Sequence, residues 1–328
     1  MTVSKHVVDG ASKPHVLVMM ATYNGVKYLA EQIDSILAQK GVDISLRICD
    51  DQSTDTTALV ASEYTSKHDN IVFTVNSKNL GVGENFMQMV YEDSAIGYDY
   101  YAFSDQDDVW LPEKLSKAIE AIVKLTETNS AAPVLYYSDY ENVDENLGNP
   151  RREKCVYKKC IHSYTPLLSN WAPGCTMVFN PSLFNRIREY RPTSWPRIHD
   201  GWTYLVCCYC GGQIVHDLDN AYIKRRISSN NVVGEGKYHI GLKEAKVHLD
   251  NLRNRPSSHY ASHAAQMLLT GYSKKGYISQ KDLPILQDVA QLDRSLGKRI
   301  KLVFSHDFVL PNIQMEFKSR LQILLGRC

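Results

Sequence analysis

The sequence predicts an α/β fold on a mixed, mostly parallel sheet with a helical C-terminal extension. Three observations carry this. Strand and helix signals alternate through the first 125 residues, a polar cluster follows each predicted strand, and helical patterns dominate from about Gly236. Alternation with short connections implies parallel strands joined by right-handed crossovers, with a ligand crevice at their carboxyl ends.

Taken in order, "HVLVMMATY" is a buried strand, and "VKYLAEQIDSILAQ" places Leu29, Ile33, Ile36 and Leu37 on one helical face. "ISLRICD" is a second strand, followed by a helix that Ser53 or Thr54 can cap. "NIVFTVN" is a third strand, "GENFMQMVYED" a helix and "YDYYAFSD" a fourth strand, followed by a helix with Pro112 in its first turn. Beyond Lys124 the alternation breaks. "PVLYYSDY" and "CTMVFN" are strands, "HDGWTYLVCCYC" is a helix stopped at Gly211-Gly212, and "QIVHDLDNAYIKRRIS" gives two short strands. "IGLKEAKVHLDNL", "SHYASHAAQMLLTGY", "KDLPILQDVAQLDRSL" and "NIQMEFKSRLQILL" are helices. The expected divisions are a loose tail over 1–13, a catalytic domain over 14–235 and a basic helical region over 236–328.

With 44% hydrophobic and 22% charged residues, the 328-residue chain has an ordinary globular composition. No apolar run approaches the ~20 residues of a membrane span, and "MTVSKHVVDGASKPH" lacks a secretory core, so a cytoplasmic protein is expected. Eight cysteines then read as reduced thiols, with Cys207-x-x-Cys210 in an apolar helix as core residues. Residues 236–328 carry 15 Lys and Arg against 7 Asp and Glu, so the net charge of +1 conceals an acidic first part and a basic last third. Without aromatic interleaving, that basic part does not suggest nucleic acid.

The chemistry lies in the clusters "ATYNG", "DDQSTD", "NLGVGENF" and "DQDD" after the four strands. Core packing does not explain polar groups at every strand end. Asp105-x-Asp107 can hold a hard divalent cation, which can neutralise a nucleotide diphosphate. There is no GxGxxG fingerprint and no P-loop, so phosphate charge must be met by metal and basic side chains.

The ordered set of clusters, and "FSDQDDVWLPEKL" in particular, resembles the family 2 glycosyltransferases, and within them the bacterial rhamnosyltransferase-like enzymes of polysaccharide and O-antigen assembly. The resemblance covers roughly residues 14–234. It implies the Rossmann-like nucleotide-diphospho-sugar transferase fold called GT-A, Mg2+ or Mn2+ as cofactor, and a nucleotide-diphosphate sugar as donor. It also implies residue roles. Thr22 and Tyr23 would line the nucleoside pocket, and Asp50 or Asp51 would accept the pyrimidine imide N–H. Asn79, Gly81 and Asn85 would border the nucleotide. Asp105 would lie near ribose and metal, Asp107 would be the main metal ligand, and Asp108 an acid behind the metal ligands or a cap for the helix that follows. Asp200 in "RIHDGW", beside His199, would be the base that deprotonates the acceptor hydroxyl, or the N-cap of its helix. Trp171 and Trp202 would offer sugar-stacking faces or join the core, and Gly174 in "GCTMVFN" would stand ahead of the acceptor site. Ser228 stands where relatives often carry a metal- or diphosphate-binding His, which leaves Arg225 and Arg226 as phosphate partners or as a solvated basic strand.

The expected reaction is inverting transfer of a sugar, L-rhamnose from dTDP-L-rhamnose, onto a polyprenyl-diphosphate-linked oligosaccharide. A UDP-hexose is the alternative donor. A sugar-1-phosphate nucleotidyltransferase or an inactive nucleotide-sugar binder are the alternatives of another class. The basic helices would rest on the anionic inner face of the cytoplasmic membrane, or simply pack against the catalytic domain.

Overall fold

The computed structural model describes residues 12–127, 129, 131–152, 164–170, 172–195, 198–227, 260–305, 308 and 313–326. In β1 (His15–Thr22), Val16, Val18 and Met20 enter one core with Leu29, Ile33 and Ile36 of α1 (Leu29–Leu37). Leu17, Met19 and Ala21 enter a second core with Phe86, Met87 and Val90 of α3 (Val82–Tyr91). Successive strand side chains point to opposite faces, so a strand covered on both sides is apolar throughout.

β2 (Asp43–Asp50), β3 (Ile71–Val75) and β4 (Tyr100–Ser104) run parallel to β1, with α2 (Thr57–Lys67) between β2 and β3. β5 (Val109–Trp110), β6 (Val134–Val143), β7 (Val178–Phe179) and β8 (Gln213–Arg226) complete an eight-stranded sheet among the described residues, in the order β3-β2-β1-β4-β7-β6-β8-β5. β7 is antiparallel to both β4 and β6, and β5 is antiparallel to β8. Pairing of Thr22 with Asp50, Asp50 with Val75, and Met20 with Ser104 brings the four predicted clusters to one sheet edge.

Three local expectations change. α2 opens at Thr57 with Thr56 as N-cap, because Ser53 donates instead to Asp50 Oδ1 (2.5 Å) and Asp55 accepts from Thr57 N (2.9 Å). Short polar side chains that bond nearby groups compete with helix. After the carboxylates the chain first makes β5, and α4 (Lys114–Thr126) begins with Glu113 as N-cap, so Pro112 precedes the helix and Asp108 does not cap it. β8 is one 14-residue strand rather than two, although its register against β6 jumps from Ser138–Asp217 to Asp139–Ala221. The short α5 (Thr165–Leu168) and α6 (Pro181–Arg188) escaped the sequence reading; Asn180 caps α6 by accepting from Leu183 N (3.0 Å). α7 (His199–Tyr209) follows.

"IGLKEAKVHLDNL" lies outside the described residues. The helices α8 (Tyr260–Tyr272), α9 (Asp282–Val289), α10 (Leu296–Val303) and α11 (Ile313–Leu324) follow. Their Leu268, Tyr272, Leu286 and Leu302 share one core with Phe184 and Trp202, so they extend the catalytic core. Cys207 and Cys210 are buried and free, and burial pushes the Cys207 thiol up to about 12, as befits core thiols.

Candidate active site

The loops after β1, β2 and β3 are tied together by buried hydrogen bonds. Thr22 Oγ1 donates to Asp50 Oδ1 (2.8 Å). The buried Asp51 carboxylate accepts from Asn76 Nδ2 (2.8 Å), Leu80 N (2.8 Å) and Gly81 N (2.7 Å), and Asn79 Nδ2 donates to Asp51 O (2.9 Å). A carboxylate has about four acceptor positions, and three of those on Asp51 organise the loop. Gly81 has φ +80° and open space where a side chain would be, which admits a close-lying ligand. Tyr23 is half-exposed. Asn85 is instead enclosed: its Nδ2 donates to Cys49 O (2.9 Å) and its Oδ1 accepts from Asn76 (3.0 Å), so it supports the loop from behind.

Gln106, overlooked between the two aspartates, links the β1 and β4 loops. It accepts from Tyr23 N (2.8 Å) and donates to Tyr23 O (3.0 Å). A methyl on Gly25 would fall 2.2 Å from Gln106 Oε1, so a side chain there would displace the Gln106 amide from Tyr23.

Beyond β4, one ligand atom each from Asp105, Asp108 and Cys175 lies within 4.8 Å of the others. Cys175 belongs to the turn Gly174–Thr176 ahead of β7 and was passed over as one thiol among several. Asp107 is not part of that trio, but its charge acts on Asp105. Burial pushes all three carboxyl groups upward, and their mutual repulsion adds to this at Asp105 and Asp108; Arg225 pulls them back. Asp108 is 1% exposed and its Oδ2 has no hydrogen bond. A buried carboxylate cluster with an orphaned oxygen is a donor set that suits a hard divalent cation, so the residues fit Mg2+ or Mn2+.

Arg225 acts on all three carboxyl groups, whereas Arg226 acts on Asp107 from beneath the loop. Arg226 is buried, donates to Asp107 O (2.8 Å) and Glu145 O (3.2 Å), pairs with Glu31 and lies 4.5 Å over the Tyr28 ring. Its expected phosphate contact gives way to a clamp under the aspartate loop.

Asp200 is the second residue of α7, whose N-cap is Ile198, so Asp200 is not the cap. Its charge raises Asp105, which puts it within electrostatic reach of the cluster. His199 is buried with neither ring nitrogen hydrogen-bonded, stacks on Phe86 at 3.9 Å, and is held down to about 3 by burial, so it stays neutral. Trp202 is fully buried among Tyr190, Trp195 and Tyr272, which corrects its expected sugar-stacking role. Gly174 is buried against His199 and Asp200. Asp139 pairs with Arg152 at 2.8 Å. Trp171 and Ser228 lie outside the described residues.

Residues 17–184 match the profile described as glycosyl transferase family 2. The chain belongs to that family. Family 2 membership makes it a glycosyltransferase rather than a sugar-1-phosphate nucleotidyltransferase. Among relatives, the dTDP-rhamnosyl transferase RfbG of Shigella flexneri is 32% identical over 173 residues, 52% of this chain and 57% of that protein. The UDP-Glc:alpha-D-GlcNAc-diphosphoundecaprenol beta-1,3-glucosyltransferase WfgD of Escherichia coli is 28% identical over 225 residues, 66% of this chain and 79% of that one. The match spans little more than half of RfbG and of an uncharacterized glycosyltransferase of Rickettsia typhi. The fold is similar to Staphylococcus aureus TarS 1–349 solved with UDP-GlcNAc (TM-score 0.53, 14% identity, 95% of this chain and 91% of that one). It is also similar to the mannosyltransferase PcManGT of Pyrobaculum calidifontis, solved with GDP-Man and Mn2+ (TM-score 0.50, 14% identity, 96% and 86%). These family 2 and structural likenesses agree on the GT-A sheet with a helical C-terminal region.

Proposed function

We propose that this family 2 enzyme transfers L-rhamnose from dTDP-L-rhamnose to a lipid-linked oligosaccharide, with inversion. The observation that carries the chemistry is that Asp200, at the start of α7, packs against Gly174 beside Cys175 and acts electrostatically on Asp105. The nucleoside would lie over Thr22, Tyr23 and Gly81, its imide N–H donating to Asp50 or to the remaining acceptor position of Asp51. Asp105 would hold Mg2+ or Mn2+ together with its neighbouring carboxylates Asp107 and Asp108, and the ion would supply charge neutralisation at the diphosphate. Arg225 would bind a phosphate oxygen. Asp200 takes the proton of the acceptor hydroxyl, that oxygen bonds to the anomeric carbon, and the bond to the diphosphate breaks from the opposite face.

The rhamnosyl donor is supported by the likeness to RfbG. The longer alignment to WfgD favours a UDP-hexose as a second reading. WfgD's printed acceptor class supports a polyprenyl-diphosphate carrier, used in O-antigen or related polysaccharide assembly. No described helix is long and apolar enough to cross a membrane. Peripheral contact at an anionic cytoplasmic surface is supported instead by the basic last third and by Leu296 and Ile300 of α10 and its C-cap Phe304, which are exposed at helical spacing.

A thermal-shift panel of dTDP, UDP and GDP with Mn2+, followed by donor consumption, tests the reading. We expect dTDP to stabilise most and dTDP-L-rhamnose to be consumed. UDP preference would favour the second reading, and no stabilisation by any nucleotide would overturn both.

A further inference from the structure

We propose that the cation bound at this active site has a sulfur ligand, Cys175, together with Asp105 and Asp108. The inference rests on the reading above that a divalent cation is held at the carboxylates, and adds a ligand the Asp-x-Asp pattern does not contain. The donor atoms of the three residues lie within 4.8 Å of one another. Ligands on opposite sides of one first-row ion are separated by roughly 4–4.6 Å, so the trio needs at most a small contraction to share one coordination sphere.

The two sides of the site are fixed by the sheet. Asp105 and Asp108 follow β4, Cys175 precedes β7, and these strands pair through Tyr101–Phe179 and Ala102–Val178. Asp108 is 1% exposed and Cys175 2% exposed, and the Oδ2 oxygen of Asp108 has no hydrogen bond. A buried carboxylate oxygen without a donor carries a free-energy cost that a cation removes. Arg225 and Lys114 face the same cluster with positive charge, while Asp107 and Asp200 face Asp105 with negative charge.

A sulfur ligand changes which ion is preferred. Oxygen donors suit Mg2+ and Mn2+, whereas thiolate moves preference along the series from Mn2+ to Co2+ and Zn2+. As the metal–sulfur bond forms, the thiol proton leaves to solvent.

The test is anaerobic titration of the full-length protein with Co2+ alone, without nucleotide. A sulfur-to-cobalt charge-transfer band in the near ultraviolet is expected, together with a far-downfield 113Cd resonance from the wild-type protein loaded with Cd2+. Cys175→Ser leaves the other seven cysteines in place, and should abolish the band and weaken Co2+ binding by roughly tenfold or more. The Cd2+ spectrum reads the wild-type protein, so a variant that fails to fold does not remove the test. Co2+ bound without the band, a Cd2+ signal typical of oxygen ligands alone, or a band that survives in Cys175→Ser would overturn the sulfur ligand and leave the carboxylate site standing. Failure of Mn2+, Co2+ and Cd2+ to bind at all would overturn both.

Discussion

Gly174 and His199 are packed so closely that a methyl on Gly174 would lie 2.6 Å from His199 Nε2, and 3.3 Å from Asp200 Cβ. His199 has little room to retreat, since Phe86 stacks on it at 3.9 Å and Phe103 meets its edge at 4.9 Å. Gly174 therefore sets where α7 begins, and with it the position of Asp200. Gly174→Ala should destabilise the fold by about 1–3 kcal/mol through overpacking. Sugar transfer should fall further than nucleotide binding. Thermal melts and donor titrations read both, and a variant with unchanged melting and turnover would refute the constraint.

Asp200→Asn tests the base. It retains the shape of a side chain whose Oδ1 accepts from Gly201 N (2.5 Å), and it removes no N-cap because Ile198 holds that position. Loss of a general base costs about 10²–10⁴ in rate. The variant should bind donor and metal and melt near wild type, yet transfer sugar that much more slowly. Wild-type turnover would mean another group takes the proton; His199, too weakly basic at about 3, and ion-paired Asp139 are poorly suited to do so.

Lys114 gives a pH signature. Its amine is buried without a hydrogen bond, lies 3.6 Å over the Trp110 ring, and is lowered by burial from 10.5 to about 7. Between these values the unfolded chain holds more protons at this position, so its contribution to stability rises with pH across that window and is lost below it. Lys114→Met should therefore be more stable than wild type below pH 7, with the gap closing toward pH 10.5 by at most about 1.4 kcal/mol per unit. Parallel denaturation curves across that range would contradict the shift.

Membrane association can be read on vesicles. Binding should rise with anionic lipid and fall with salt. Replacing exposed Ile300 and Phe304 with Ser should weaken it at least tenfold, since inserting each side chain contributes about 1.5–3 kcal/mol. Equal binding to neutral and anionic vesicles, or binding unmoved by the double substitution, would point elsewhere.

Much of the fold was legible because its signals are local. β1 advertises burial on both faces through a run of six apolar residues, Val16–Ala21, and α1 shows its buried Leu29, Ile33 and Ile36 at helical spacing. Helix starts were less legible: Ser53 was free in sequence to cap α2, but its hydroxyl bonds Asp50. The match in "FSDQDDVWLPEKL" marked the carboxylate loop, yet could not say which oxygens converge.

The sequence by itself determined the α/β alternation, the polar strand ends and the kinship with family 2, since periodicity and motif are properties of neighbouring residues. Tertiary structure decided what depends on distant partners or on which face a residue takes. Arg225 and Arg226 are adjacent on β8, and neighbouring strand residues face opposite ways. One turns to the carboxylates while the other is buried against Tyr28 and Glu31, a choice set by sheet pairing. Trp202 went to the core because Tyr190, Trp195 and Tyr272 enclose it. Cys175 reached Asp105 and Asp108 only because β7 pairs with β4, joining segments that lie far apart along the chain.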